Sequence, residues 1–154
     1  IQVTTVSITD TKEVTTSHGI TLKADTLFGE NDYADADCLV LPGGMPGTVN
    51  LGAYTPLTEL LKKQYGEEKR IAAICAAPTV LSDLGFLKER RATSYPARMK
   101  DLVCKELSEE SVVVDGNITT SRGVGTAIDF SLSLISQLLN LEKAKEIAES
   151  IVFS

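Results

Sequence analysis

The stretch that most constrains this chain is Ile71-Ala-Ala-Ile-Cys75-Ala-Ala-Pro78, where an apolar run halts at a cysteine and a helical pattern takes over. Ile71 to Ile74 are uninterrupted apolar residues, the signature of a short strand covered on both faces. Thr79 to Leu87 carries apolar residues at helical spacing, so Cys75 is predicted on the turn between strand and helix. A side chain forced out of such a turn needs small neighbours two places away on either side, because a bulky residue there would collide with the bend. Those places hold Ala73 and Ala77. This is the small-x-nucleophile-x-small pattern of a nucleophile elbow, with cysteine for serine and alanines for glycines. Pro78 falls in the first helical turn, where its missing N–H breaks no bond. A thiol at a helix N-terminus sees the positive end of the peptide dipoles, which favours the thiolate. The competing reading is a buried core cysteine, since unpaired cysteines are among the most buried residues.

The remaining segments surround that junction with strands and helices in alternation. Cys38 to Leu41 is a second short apolar strand, and it ends in Pro42-Gly43-Gly44-Met45-Pro46-Gly47. In open α/β sheets ligands bind at the carboxyl ends of strands, and glycines there let backbone N–H groups approach a reacting oxygen closely. A plain turn is the alternative. One helical segment, Pro56 to Tyr65, separates this strand from that of Cys75, as a βαβ unit requires.

Ile1 to Ile8 alternates and is rich in β-branched residues, predicting a strand; Asp10 to Gly19 and Ile20 to Ala24 predict a two-segment excursion. Downstream, Arg91 to Pro96 reads as a strand ending at Tyr95, and 97–107 as helix. Asp115-Gly116-Asn117 between Val112 to Val114 and Ile118 to Ser121 is a hairpin signal. Ser121-Arg122-Gly123-Val124-Gly125 forms a second glycine-rich loop. It feeds a helix from Thr126 to Leu139, with Thr126 as N-cap and Asp129 completing a capping box. Leu141 to Phe153 predicts a last amphipathic helix. The alternation implies one α/β domain over 1–154 with a mainly parallel sheet between helical layers.

Composition narrows the function classes. Fifteen Lys plus Arg against 21 Asp plus Glu give a net charge of −6, which argues against binding a phosphate backbone. No apolar stretch approaches the roughly 20 residues of a membrane span. The opening residues lack the pattern of a secretory leader. Three cysteines without a CxxC pair or a Cys/His cluster suggest neither a disulfide framework nor a zinc site, and a reducing cytoplasm is the expected setting.

Taken together, Ala72 to Thr79, Val40-Leu-Pro-Gly-Gly44 and Thr120-Ser-Arg-Gly-Val-Gly-Thr126 resemble the ThiJ/PfpI superfamily, nearest to its Parkinson-disease protein deglycase clade and bacterial counterparts. The resemblance implies a three-layer α/β/α sandwich of flavodoxin-like, class I glutamine-amidotransferase-like type. It implies that Cys75 is the reactive cysteine, a nucleophile and a thiol that oxidises to a sulfinate. Gly44 and Ala76 would offer backbone N–H groups to an oxyanion or a sulfinate oxygen. Tyr95 stands where animal relatives have a histidine and bacterial ones often a tyrosine; as a phenol is mostly protonated near neutrality, it would not serve as that base. Arg122 matches an arginine near the pocket. His18, the only histidine, falls where relatives carry Ser-Arg-Gly, in a loop that can approach the pocket of a dimer partner; on its own residues it reads as an exposed turn. Cys38 and Cys104 read as packing. The family also opens with a strand, a loop bearing a glutamate that bonds the thiol, and a helix; this chain starts past that unit and offers no acid for that role.

The resemblance implies an oxidative-stress protein whose Cys75 acts on small reactive carbonyls in a glyoxalase- or deglycase-like way, on peroxide as a sensor, or both. It implies no cofactor and no metal, and a homodimer. The alternative is a non-catalytic redox sensor or chaperone. An intracellular peptidase or amidase fits less well, because that chemistry needs a histidine beside the cysteine and Ala76 stands there. Nothing supports the thiazole-biosynthesis label also used for such chains.

Overall fold

The computed structural model describes residues 1–153. In chain order the strands are β1 (Val6–Ser7), β2 (Glu13–Thr15), β3 (Thr21–Lys23), β4 (Thr26–Leu27), β5 (Cys38–Leu41), β6 (Arg70–Ile74), β7 (Arg91–Ala92), β8 (Glu106–Leu107), β9 (Val112–Asp115) and β10 (Ile118–Ser121). The α-helices are α1 (Gly47–Ala53), α2 (Thr55–Gly66), α3 (Pro78–Asp83), α4 (Ala127–Leu138) and α5 (Leu141–Ser150). A four-stranded sheet in the order β5-β6-β10-β9 forms the centre, with only β9 antiparallel. Two-stranded pairs β1-β4, β2-β3 and β7-β8 surround it.

Adjacent residues of a strand face opposite sides of a sheet, and β10 shows which helices cover which side. Ile118 packs in the main core with Leu57 and Leu61 of α2 and Val80 and Leu81 of α3. Its neighbour Thr119 turns to the other side and accepts a hydrogen bond from Gln137 Nε2 of α4 at 3.0 Å. Helices therefore lie on both faces of a mainly parallel sheet, the three-layer arrangement expected from the alternation of elements. Ile71, Ala72 and Ala73 are fully buried, as an uninterrupted apolar strand in such a sandwich must be.

The register brings three loops to one edge. Leu41 is level with Ala73, and Ser121 with Ile74, in parallel pairing. Hence Pro42-Gly43-Gly44, Cys75 and Arg122-Gly123 all leave the sheet at its carboxyl end.

Several local expectations are corrected. Of the strand expected from Ile1 to Ile8, only Val6–Ser7 forms a ladder, in parallel with Thr26–Leu27; Ile1 to Thr5 are exposed, and of them Thr5 O accepts from Asp25 N–H at 3.0 Å and Thr26 N–H at 3.2 Å. The segment 97–107 is not a helix: a 3-10 helix spans Pro96–Asp101, and Glu106–Leu107 then pairs with Arg91–Ala92. Lys105 N–H donates to Arg90 O at 2.9 Å and Ser108 N–H to Ala92 O at 2.9 Å, long-range bonds that outweigh local helical preference. The strand expected through Tyr95 stops at Ala92. The helix after Cys75 ends at Asp83, closed by Gly85 at φ 80°. Thr126 does not cap α4 with its side chain, and no capping box forms with Asp129. Its hydroxyl is held instead by Gly123 N–H at 3.1 Å and Ser121 Oγ at 2.7 Å. The last helix stops at Ser150 rather than Phe153.

Candidate functional site

Cys75 adopts φ 64°, the left-handed region that a residue with a side chain occupies at a cost of about 1–3 kcal/mol. The surroundings hold it there. Cys75 N–H donates to Ser121 O at 3.0 Å, tying the turn to β10. Its carbonyl accepts from Tyr95 N–H at 2.8 Å and from Ser94 Oγ at 2.9 Å. Ala73 and Ala77 are fully buried on either side, as the elbow pattern requires. Helix α3 follows at once, with Pro78 at its first position. It is only six residues long, so any favourable field at the sulfur comes from nearby N–H groups rather than from a long stack of dipoles.

The glycine loop after β5 presses against this turn. A Cβ on Gly43 would stand 2.5 Å from Cys75 Cβ, 2.7 Å from Ile74 O and 3.0 Å from Ala76 N. Only glycine permits that approach. Gly44, at φ 96°, follows it. Among the described residues neither Gly44 N–H nor Ala76 N–H meets a hydrogen-bond acceptor. Gly123 lies close to both the sulfur and an aromatic ring: a Cβ there would lie 4.0 Å from Cys75 Sγ and 3.7 Å from Tyr95 Cδ2. The structure thus gathers Cys75, Ala76, the Gly43-Gly44 loop, Gly123 and Tyr95 into one cluster. A cleft of about 370 Å³ lined by Thr48, Thr79, Asp83 and Arg98 does not include Cys75; backbone geometry, not cavity size, marks the site.

Two further sequence candidates relate to it differently. Arg122 precedes Gly123, but its guanidinium reaches Glu109 O at 2.9 Å through Nη1, and its buried Nε has no partner among the described residues. His18 is exposed in the β2-β3 turn and joins Ser17 Oγ through Nδ1 at 3.2 Å. That serine in turn lies 3.5 Å from where a Cβ on Gly44 would be, so the turn leans over the glycine loop.

The other cysteines sit in different surroundings. Burial pushes the Cys38 thiol up to about 11 and also raises that of Cys104. Both remain neutral thiols at ordinary pH.

Residues 1–137 match the DJ-1/PfpI family. The chain belongs to that family. The family chain is 40% identical over 152 residues to Protein DJ-1 homolog B of Arabidopsis thaliana, covering 97% of this chain and 35% of that protein. It is 39% identical over 115 residues to a protein of Pyrococcus abyssi named a deglycase, covering 73% of this chain and 68% of that one. Among solved structures it is similar to Toxoplasma gondii DJ-1, oxidized, with a TM-score of 0.94 at 38% identity over 98% of this chain and 83% of that one. The chain spans well under half the length of the Arabidopsis relatives, 35% and 39%. No helix among the described residues is long and apolar enough to cross a membrane.

Three residues of this candidate site carry no specific signal in the sequence. Gly43 could have been suspected from the Gly-Gly pair, yet which glycine touches the cysteine depends on the β5-β6 register. Gly123 reads in the sequence only as part of a loop. Ser94 gave no local signal; its role comes from the fold placing the segment after β7 beneath the Cys75 carbonyl.

Proposed function

We propose that Cys75 is a nucleophile toward small reactive carbonyls, in a glyoxalase- or deglycase-like reaction. The observation that carries this reading is the left-handed Cys75 turn, which has two backbone N–H groups, of Gly44 and Ala76, without protein acceptors beside it. The relatives named as deglycases support it.

In the reaction we envisage, the Cys75 thiolate adds to the aldehyde carbon of a 1,2-dicarbonyl such as methylglyoxal. A C–S bond forms and the π pair moves to oxygen, where Ala76 and Gly44 N–H groups stabilise the charge. A hydrogen then passes from the sulfur-bearing carbon to the neighbouring carbonyl carbon. One carbon is oxidised as the other is reduced, so no external oxidant is consumed. Water cleaves the resulting thioester, releasing lactate and the thiol. A reducing cytoplasm would keep that thiol available. The test is lactate formation from methylglyoxal by the wild-type protein and Cys75→Ser. The expected result is product from the first and none from the second; equal output from both refutes the reading.

A second reading, a peroxide-responsive thiol, is favoured by the contrast in environment among the three cysteines and by the oxidised state named for the Toxoplasma relative. Here the thiolate attacks peroxide, an S–O bond forms, the O–O bond breaks and water leaves; a second equivalent gives the sulfinate. Mass spectrometry after graded peroxide should find two oxygens added at Cys75 with Cys38 and Cys104 untouched. Indiscriminate oxidation of all three would remove the basis for this reading.

A further inference from the structure

The carbonyl of Cys75 takes two donors, while the N–H on the same peptide plane takes no acceptor. Ser94 Oγ donates to that carbonyl at 2.9 Å and Tyr95 N–H at 2.8 Å. The Ala76 N–H across the planar peptide is left without an acceptor among the described residues. Donors at a peptide oxygen pull density from its nitrogen, so the N–H on the far side becomes a stronger donor; hydrogen bonds in a chain reinforce one another. Two donors at fixed positions also set the plane in space, which keeps the N–H from rotating away. The Tyr95 N–H belongs to the backbone and would be present with almost any residue there. The hydroxyl is specific to this sequence. Ser94 is fully buried, so water does not compete for the bond.

We infer that Ser94 is a positioning residue of the Cys75 site: through the Cys75-Ala76 peptide, its hydroxyl orients and strengthens the Ala76 N–H that receives the developing oxyanion. This rests on the carbonyl-addition reading above. Ser94 touches neither substrate nor sulfur in this account, and its influence ends at the donor strength and direction of one amide.

The experiment separates that influence from simple support of the fold. For Ser94→Ala, kcat toward methylglyoxal should fall roughly ten-fold, less than the 10²–10³ typical of deleting an oxyanion donor outright, with KM within about two-fold. Alkylation of Cys75 by iodoacetamide generates no oxyanion and should stay within about two-fold of wild type. Ser94→Thr, which keeps the hydroxyl, should restore turnover, and Ser94→Cys, a weaker donor of similar size, should fall between. Ser94→Cys also serves if Ser94→Ala does not fold. Turnover and alkylation falling together would mean a structural role and overturn the inference, as would unchanged turnover in Ser94→Ala. A second readout is independent of catalysis: the Ala76 amide nitrogen and proton resonances should shift in Ser94→Ala and return in Ser94→Thr. If the wild-type protein itself makes no lactate, the carbonyl reading fails on its own. The Ala76 resonance then decides the inference, and an unmoved signal in Ser94→Ala rejects it.

Discussion

Cys38, in β5, and Cys75, just past the neighbouring β6, stand at opposite ends of one sheet. Cys38 opens β5 and lies level with Arg70, the first residue of β6. There its backbone belongs to a regular ladder and its thiol is pushed up to about 11 by burial. Cys75 lies one residue beyond the end of β6, where the chain turns through φ 64° and the N–H groups of Gly44 and Ala76 have no acceptor among the described residues. The residue type is the same. What differs is whether the main chain around the sulfur has spent its donors on itself, and in a parallel sheet that distinction falls at the carboxyl edge.

The contrast can be broken most forcefully at Gly43. Gly43→Ala puts a methyl group against Ile74 O and Cys75 Cβ, neither of which can rotate aside, and should cost about 3 kcal/mol in denaturant unfolding. A Gly43→Ala protein of normal stability and normal Cys75 reactivity would show that the close approach is unnecessary.

The Cys38 side of the comparison is tested by pH. Its thiol rises from an ordinary value near 9 to about 11 on folding, so below pH 9 both states are protonated and nothing is lost. Between pH 9 and 11 the unfolded chain releases a proton that the folded one keeps, and folding stability falls, by on the order of 2 kcal/mol in all. Unfolding free energies measured across that range should show the decline, and Cys38→Ala should flatten it.

Alkylation sharpens the difference directly. With iodoacetamide at pH 7.5 the native protein should be modified at Cys75 at least roughly ten-fold faster than at Cys38 or Cys104, and in denaturant the three rates should converge. Mass spectrometry of peptides reads all three at once. The smallest effect is expected at Tyr95, whose ring lies near Gly123 but whose hydroxyl makes no hydrogen bond within the described residues. Tyr95→Phe should leave the rate of Cys75 alkylation within about two-fold of wild type.

The parts of the fold legible in sequence are those written in contiguous residues. The apolar run of β6, its stop at Cys75, the glycine loop after β5 and the β9-β10 hairpin all carry local signals, and all are present. Helix α1 has little local signal because Gly47, Gly52 and their neighbours have poor helical preference. It forms because Thr48 N–H and Oγ1 both donate to Gly44 O, at 2.9 and 3.0 Å, and Thr48 is buried. The β7-β8 pair is not legible locally because its bonds join residues far apart in sequence. At the site, Cys75 and its alanines were readable, whereas Gly43, Ser94 and Gly123 gain their places only from strand register. Thr126 carried a capping signature, yet its hydroxyl turned back to Gly123 and Ser121 because the loop needed it more than the helix.

One further consequence lies in how exposure is distributed around the sulfur. Ala76, Ala77, Gly123 and Ser94 are buried, while Met45, Tyr95 and Val124, each next to or within a residue or two of the cluster, stand largely open to solvent. The buried residues that frame Cys75 and the exposed ones beside them are therefore separable by mutation. On the carbonyl-addition proposal, a library randomised at those three exposed positions should alter which carbonyl compounds react while the backbone frame around Cys75 stays the same.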